Sequence, residues 1–255
     1  MRDSFYDMIF KRKSFHLFRG VGSDYITEDE LKAIEEAYVS FEPLVPGIRT
    51  GIRIVPTKQV SFKRDPEYCI LIYSEKKENY LMNVGYIGEQ LDLYLVENHI
   101  GSLWYGIGKP DEPVWDGMDF VIMFSIHKVT DDSKYRKDMN RAERKDLEEI
   151  WKGDDLGIAN IARFAPSACN SQPWYVENNN GLLTIYRMRK PGKVGIMPAA
   201  KVAYFNGIDI GIYLCFLELC LNHEKIGFHR QLFIDPGDES EKTKVAEYCL
   251  SKKIG

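Results

Sequence analysis

Residues 165–174 read APSACNSQPW and follow a segment with helical spacing of its apolar residues. A connecting loop needs only Gly, Pro, Asn or Ser to turn the chain. This stretch also carries Asn170 and Gln172, whose amides each offer a carbonyl acceptor and an NH₂ donor. Pro166 and Pro173 restrict the backbone, because the proline ring fixes φ. The sequence therefore predicts a stiff loop that can read the donor–acceptor edge of a flat heterocycle.

The composition is that of a globular protein. The chain has 255 residues, 44% of them hydrophobic and 28% charged, which is enough for one large domain or two moderate ones with a buried core. The net charge of −4 and the pI of about 5.8 argue against a nucleic-acid-binding protein, which needs a basic face. We therefore expect no nucleic-acid partner.

Cysteine usage and hydropathy bear on the compartment. The five cysteines are odd in number and form no CxxC pair, so neither a disulfide framework nor a zinc or other metal site is indicated. Residues 208–221 are the most apolar stretch, but they contain Asp209 and Glu218 and fall short of the roughly 20 residues of a membrane span. We expect a buried helix there, no membrane association and a cytoplasmic protein.

The predicted elements occur in the same order twice. Thr27 and Glu30 form a predicted capping box before the first of these helices. The first half is predicted as helix, two strands, long helix and strand, at residues 31–38, 51–55, 68–73, 83–100 and 120–126. The second half repeats this order at residues 155–164, 174–177, 182–187, 206–222 and 231–234.

Sequence correspondence supports this repeat. Aligning Asn83 with Asn206 also pairs Ile87-Gly88 with Ile210-Gly211. The period is too long for a solenoid. We expect an α+β fold of two similar halves, residues 1–140 and 141–255, packed as an intramolecular pseudo-dimer, while a chance match of two α+β halves stays open.

Two basic segments are candidate phosphate sites. Arg12-Lys13-Ser14-Phe15-His16 offers a guanidinium, a second cation, a hydroxyl and an imidazole, and guanidinium groups and backbone N–H groups match phosphate oxygens. Arg141-Ala142-Glu143-Arg144-Lys145 is a second candidate. For the first segment, the alternative is a set of solvated surface cations, and for the second it is a solvated helix start.

Residues 101–108 read GSLWYGIG. Their glycines allow the backbone to approach a ligand closely, so their N–H groups are candidates for contact with a flat heterocycle. A helix that ends in glycine and is followed by a turn is the alternative.

Taken in their order along the chain, the four segments resemble motifs of the FMN-dependent nitroreductase family. APSACNSQPW is similar to its Pro-Ser-x-x-Asn-x-Gln-Pro-Trp signature, and residues 12–16 to its Arg-x-Ser-x-Arg phosphate motif, with His16 in place of the last base. Trp104-Tyr105-Gly106 resembles the loop whose backbone N–H reaches the flavin N5 and O4. Residues 144–149 resemble the basic segment that closes on the phosphate.

The resemblance implies a single-chain branch of the family. Its homodimers build each flavin site across two subunits, whereas residues 41–46 of this chain, at the early loop position, contain neither Asn nor Gln. A tandem duplication with one surviving composite FMN site accounts for this distribution. We therefore expect a monomeric pseudo-dimer, with a homodimer as the alternative.

The resemblance also implies the site residues and the activity. Arg12, Ser14 and Arg144 would hold the FMN phosphate, assisted by Lys13, His16 and Lys145. The backbone of Tyr105 or Gly106, beside Trp104, would contact N5, and Asn170, within the loop of Pro166, Ser167 and Gln172, would bond the ring edge. Cys169 is expected to be a small packed residue.

The implied function is an oxidoreductase that uses FMN to pass electrons from NADH or NADPH to an organic acceptor such as a nitroaromatic or a quinone. Two alternatives remain at this stage. One is a non-catalytic FMN-binding protein for storage or sensing, and the other is a protein whose degraded site leaves it only a role as a partner.

Overall fold

The computed structural model describes residues 1–61, 66–139, 142–190, 192–238 and 240–251. The chain forms two compact units. Unit 1 consists of Met1–Tyr80 and Ile87–Met139, and unit 2 of Leu81–Tyr86 and Asn140–Gly255. The predicted boundary, between residues 140 and 141, falls outside the described residues.

Unit 1 contains a five-stranded sheet. Its strands are β1 (Thr50–Pro56), β2 (Tyr68–Ser74), β3 (Ile100–Tyr105), β4 (Val114–Trp115) and β5 (Met118–Lys128). They lie in the order β1-β2-β5-β3, every neighbouring pair is antiparallel, and β4 pairs with β5. The predicted strands at residues 51–55, 68–73 and 120–126 are confirmed, and the apolar run in the last becomes a central, buried strand.

Three helices accompany this sheet: α1 (Ser4–Lys11), α2 (Glu28–Val39) and α3 (Tyr80–Glu97). The predicted capping box is present, since the Glu30 N–H donates to the Thr27 hydroxyl and the Thr27 N–H donates to the Glu30 carboxylate. Residues Leu81–Tyr86 of α3 are counted with unit 2.

The predicted end of the long helix at residue 100 is wrong. The helix α3 ends at Glu97, because His99 adopts a left-handed backbone with φ of 56°, and Ile100 then starts β3. Residues 101–105, interpreted as a glycine-rich loop, are likewise a strand. Gly101 serves close packing in that strand, since a Cβ there would lie 2.7 Å from Val129.

Unit 2 contains a second five-stranded sheet. Its strands are β6 (Trp151–Lys152), β7 (Trp174–Asn179), β8 (Leu182–Met188), β9 (Phe228–Leu232) and β10 (Lys242–Leu250). The order is β6-β7-β8-β10-β9, with β6 parallel to β7 and the other pairs antiparallel. The strand predicted at residues 231–234 begins three residues earlier, at Phe228.

The helices of unit 2 are α4 (Leu147–Ile150), α5 (Ala159–Ala162) and α6 (Ala199–His223). The predicted helix at residues 155–164 is thus shorter, and the one at residues 206–222 is longer and begins after Pro198. By length and composition α6 could cross a membrane, but 89% of its apolar window is buried. It is the core helix of unit 2, as predicted for residues 208–221.

The first turns of α3 pack directly on α6. A Cβ on Gly211 would lie 1.9 Å from the Met82 carbonyl oxygen, and one on Gly85 would lie 2.0 Å from the Ile208 carbonyl oxygen. Glycine at both positions therefore lets the two backbones touch.

The two sheets share a connection pattern. When the two-residue strands β4 and β6 are left out, the strands of each sheet lie in the order first, second, fourth, third, and the long helix connects the second strand to the third. Unit 2 has the parallel strand β6 in addition. The prediction that the halves arose by duplication and pack as a pseudo-dimer stays a prediction.

Candidate functional site

A buried polar cluster surrounds Asp92 in unit 1. The Arg12 Nε donates to Asp92 Oδ2 at 2.8 Å, and both side chains are buried. The Ser102 hydroxyl donates to Asp92 Oδ1, and the Trp104 indole donates to Asp92 Oδ2 at 3.2 Å. One carboxylate therefore joins the N-terminal basic motif to β3.

The charge of Arg12 is maintained inside the protein. Burial alone would lower its pKa, but the Asp92 and Glu89 carboxyl groups raise that pKa above the ordinary value for arginine. Among the described residues, Arg12 Nη2 is buried without a hydrogen-bond partner. A buried, unsatisfied donor on a cation is costly, and an anionic ligand would satisfy it.

More cations lie beside Arg12 than the sequence had suggested. Burial, followed by repulsion from Lys134 and Arg136, lowers the pKa of Lys13. Arg136 Nε donates to the Arg12 carbonyl at 3.0 Å, and burial and the Arg12 charge lower the pKa of Arg136. Arg12, Lys13, Lys134 and Arg136 therefore bring four cations into one part of unit 1, and the pKa values of Lys13 and Arg136 are lowered there. Such a cluster is a candidate anion site.

Lys134 and Arg136 were missed because residues 131–149 read as a charged surface segment. The spacing of two cations around Tyr135, shortly after a buried strand, was the available signal. Tyr135 is buried against Phe15, so it fixes this segment next to the basic motif.

The rest of the motif runs beside β3. Ser14 forms an isolated parallel bridge with Ser102, and the Phe15 N–H donates to the Ser102 carbonyl at 2.9 Å. Ser14 is half-buried and His16 is exposed.

The predicted N5 segment lies at the end of β3. Trp104 rests on Gly88 of α3, where a Cβ would come within 2.5 Å of the indole ring. Tyr105 ends the strand, and Gly106 is exposed in the turn that follows. Unit 1 therefore brings together Arg12, Ser14 and Trp104, while sequence reasoning missed the carboxylate that connects them.

In unit 2, the loop at residues 165–174 has a strained backbone. Cys169, Asn170 and Gln172 all lie in the left-handed region, with φ of 51°, 53° and 46°. Non-glycine residues adopt this region at a cost, and such strain clusters at functional sites. Three of the loop's residues therefore hold a backbone conformation that the surrounding contacts must maintain.

Hydrogen bonds tie this loop to the second basic segment. Arg144 Nη1 donates to Asn170 Oδ1 at 3.1 Å, and Arg144 Nη2 donates to the Phe164 carbonyl at 3.0 Å. The Asn170 NH₂ donates to the Glu143 carbonyl at 3.2 Å. Arg144 and Asn170, predicted to contact opposite ends of the ligand, are therefore direct neighbours, and Arg141 lies outside the described residues.

Gln172 and Lys145 form a second connection. The Lys145 N–H donates to Gln172 Oε1 at 2.9 Å, and Lys145 Nζ donates to the Gln172 carbonyl at 2.7 Å. Gln172 is only 3% exposed, and its own N–H donates to the Ser167 hydroxyl at 2.9 Å. Its amide thus supports the shape of the loop, and Asn170 presents the exposed amide.

Asp209 of α6 holds the loop at residues 165–174 in place through hydrogen bonds. It accepts hydrogen bonds from the Ala168 N–H at 2.9 Å and from the Ser171 hydroxyl at 3.2 Å. Burial raises the pKa of Asp209 to about 7, although these two bonds oppose the shift. The sequence showed an acid in an apolar helix but did not show what it holds.

The remaining loop residues have structural roles or are exposed. Trp174 is buried and stacks on Tyr213, with ring centroids 4.8 Å apart, and Pro166 is buried. The expectation that Cys169 is packed is wrong, because the left-handed turn places this residue at the surface.

A groove of about 910 Å³ lies elsewhere in unit 1, along the outer edge of β1. Tyr38 and Phe41 from the α2 side and Trp115 line it. It includes none of the predicted site residues, so the candidate site rests on the polar clusters and not on this cavity.

Three comparisons place the chain among known proteins. A protein of Thermotoga maritima MSB8, described as a putative nitroreductase, is 19% identical with a TM-score of 0.58, over 96% of this chain and 92% of that chain. A nitroreductase family protein of Clostridium novyi NT is 18% identical over 55% of this chain and 90% of that chain, and its TM-score of 0.36 is too low to support a conclusion. No curated protein matched.

The first likeness shows the fold, which is the nitroreductase-like α+β fold expected from the sequence. The family described as "Putative TM nitroreductase" matches residues 4–221. Since this match covers most of the 255 residues, the chain belongs to this nitroreductase family.

Proposed function

We propose that the protein is an FMN-dependent oxidoreductase that passes electrons from NADH or NADPH to an organic acceptor such as a nitroaromatic or a quinone. Membership of a nitroreductase family indicates an oxidoreductase. The observation that carries the cofactor assignment is the buried Arg12, whose Nη2 has no partner among the described residues, in a cluster with Lys13 and Arg136. A phosphate group fits this arrangement.

The residues at hand suit both ends of FMN. Arg12, Ser14, Lys13 and Arg136 would hold the phosphate, and Arg144 would hold Asn170 through their 3.1 Å hydrogen bond. The backbone N–H of Tyr105 or Gly106 would contact the ring, and the exposed amide of Asn170 would bond the ring edge. That both clusters serve one FMN molecule is part of the proposal and comes from the family resemblance.

The cofactor itself supplies the redox chemistry, because a flavin accepts hydride and passes electrons on. The protein's residues bind and orient it. Cations near the phosphate and an N–H at the ring would stabilise developing negative charge in a preorganised way. The acceptor class follows from the flat ring, on which a planar aromatic molecule can stack. A cytoplasmic, monomeric protein is consistent with this role.

Binding of FMN and of riboflavin separates the phosphate contacts from the ring contacts. We expect purified protein to bind FMN, and Lys13→Ala and Arg136→Ala each to weaken FMN binding about tenfold while changing riboflavin binding little. Lys11→Ala, an exposed lysine on the preceding helix, is the matched control and should bind both as the wild type does.

Asn170 tests the other cluster. Asn170→Ala should weaken FMN and riboflavin binding alike, whereas Asn179→Ala, at an exposed asparagine at the end of β7, should weaken neither. A colourless protein that does not bind added FMN would refute the proposal. A protein that binds FMN but does not oxidise reduced nicotinamide would instead be the storage or sensing protein.

A further inference from the structure

Asp92 contacts both segments of unit 1 assigned to FMN. It is fully buried on α3 and accepts hydrogen bonds from Arg12, Ser102 and Trp104. Arg12 belongs to the basic motif, whereas Ser102 and Trp104 belong to β3. No resemblance at the sequence level pointed to this aspartate.

The Asp92 carboxylate holds these groups through its two oxygen atoms. Trp104 and Arg12 share Oδ2, so the position of the indole and that of the guanidinium depend on the same atom. Ser102 occupies Oδ1, and its carbonyl in turn accepts from the Phe15 N–H of the motif. A change at Asp92 is therefore transmitted to both segments.

A second buried acid, Glu89, lies in this cluster. Glu89 lies one turn before Asp92 on α3 and is completely buried. Among the described residues, neither Glu89 carboxyl oxygen accepts a hydrogen bond of good geometry. The Trp104 indole is nevertheless close enough to oppose part of the rise in the Glu89 pKa. Burial, reinforced by the Asp92 charge, raises the pKa of Glu89 well above its ordinary value, which favours the neutral acid.

We propose that Asp92 is the positioning residue of the FMN site, and that its carboxylate orients Arg12 and the Trp104 segment through the hydrogen bonds that it accepts from them. The inference rests on the proposed function. In this arrangement the Arg12 guanidinium faces the phosphate and the Trp104 segment faces the flavin ring. A neutral amide at position 92 keeps the shape but not the charge-assisted bonds.

The test compares two isosteric variants in the full-length chain. Asp92→Asn should weaken FMN binding about tenfold or more, with a smaller effect on riboflavin, because the guanidinium is no longer held. Glu89→Gln mimics the neutral acid and should bind FMN within about twofold of the wild type. The infrared difference spectrum between wild type and Glu89→Gln at neutral pH should show the loss of one protonated carboxyl C=O band. The protonated fraction of Asp209 is common to both proteins and cancels in this difference.

If Asp92→Asn fails to fold, two milder variants carry the test. Ser102→Ala and Trp104→Phe each remove one donor to the same carboxylate, and each should weaken binding of FMN several-fold, Trp104→Phe acting on riboflavin as well. Wild-type affinity in both would overturn the inference. So would wild-type affinity in a folded Asp92→Asn, or equal losses in Glu89→Gln and Asp92→Asn.

Failure of the proposed function has a different signature. In that case the wild-type protein itself would not bind FMN. Failure of the Asp92 inference alone leaves wild-type FMN binding intact and shows only in the variants.

Discussion

Two buried aspartates, Asp92 and Asp209, anchor the predicted site segments of their own units. Each projects from the long helix of its unit and accepts hydrogen bonds from the segment that it holds. Buried carboxylates are costly unless they are hydrogen-bonded, so their presence in apolar helices needs a reason. Here the reason is that a loop or strand end with site residues must be fixed to a rigid element.

Asp209 gives a pH prediction. Its pKa is raised from 3.8 to about 7 by burial, so the folded chain keeps a proton that the unfolded chain loses at lower pH. Stability from this group is complete below pH 4 and is lost as pH rises through 7, by about 4 kcal/mol in all. We expect Asp209→Asn to lack this loss. The free energy of unfolding of the variant minus that of the wild type should therefore increase between pH 4 and pH 8.

Denaturant unfolding at a series of pH values checks this prediction. Parallel profiles for wild type and Asp209→Asn would show that the side chain does not hold its proton in the folded state.

At the scale of elements, the long helices decide the arrangement of unit 2. Residues Leu81–Tyr86 of α3 and residues around Gly207 and Gly211 of α6 touch with almost no side chain between them. Close backbone contact of this kind leaves no room for an added methyl group, because packed interiors contain few voids.

Gly211→Ala should therefore destabilise the protein by about 3 kcal/mol, since the new Cβ meets the Met82 backbone and overpacking cannot be relieved by a rotamer change. Gly207→Ala is the matched control, because its Cβ would meet only the Leu81 side chain at 3.1 Å. Alanine there also gains up to about 1 kcal/mol of helix propensity. Chemical denaturation of both variants measures the difference, and equal stabilities would contradict the close contact.

Local patterns predicted many of these elements. Thr27 and Glu30 marked the start of α2, and the apolar run at residues 120–126 marked β5, because caps and short apolar runs act locally. The strand β10 escaped prediction, since a bulge between Lys244 and Ala246 breaks its alternation.

The site was predictable only in part for a similar reason. Arg12, Arg144 and Asn170 belong to recognisable segments, whereas Asp92 and Arg136 acquire their roles from contacts that are distant in sequence. Periodicity does not show which buried acid will meet which distant base.

At the scale of the whole molecule, the account predicts one FMN per chain. The basic motif of unit 1 has no clear counterpart in unit 2, and the loop with Asn170 has none in unit 1. Titration with FMN should therefore saturate at about one equivalent, following the one-site binding relation. Saturation at two equivalents would mean that a second site has survived.

The most direct test is an anaerobic titration of the FMN-loaded chain with NADH and with NADPH, followed at the flavin absorption band. The account predicts that at least one of them bleaches the band and that a nitroaromatic or a quinone then restores it. A chain that takes up no FMN, or bound FMN that keeps its absorption with both nicotinamides, would contradict the claim that this protein is a flavin oxidoreductase.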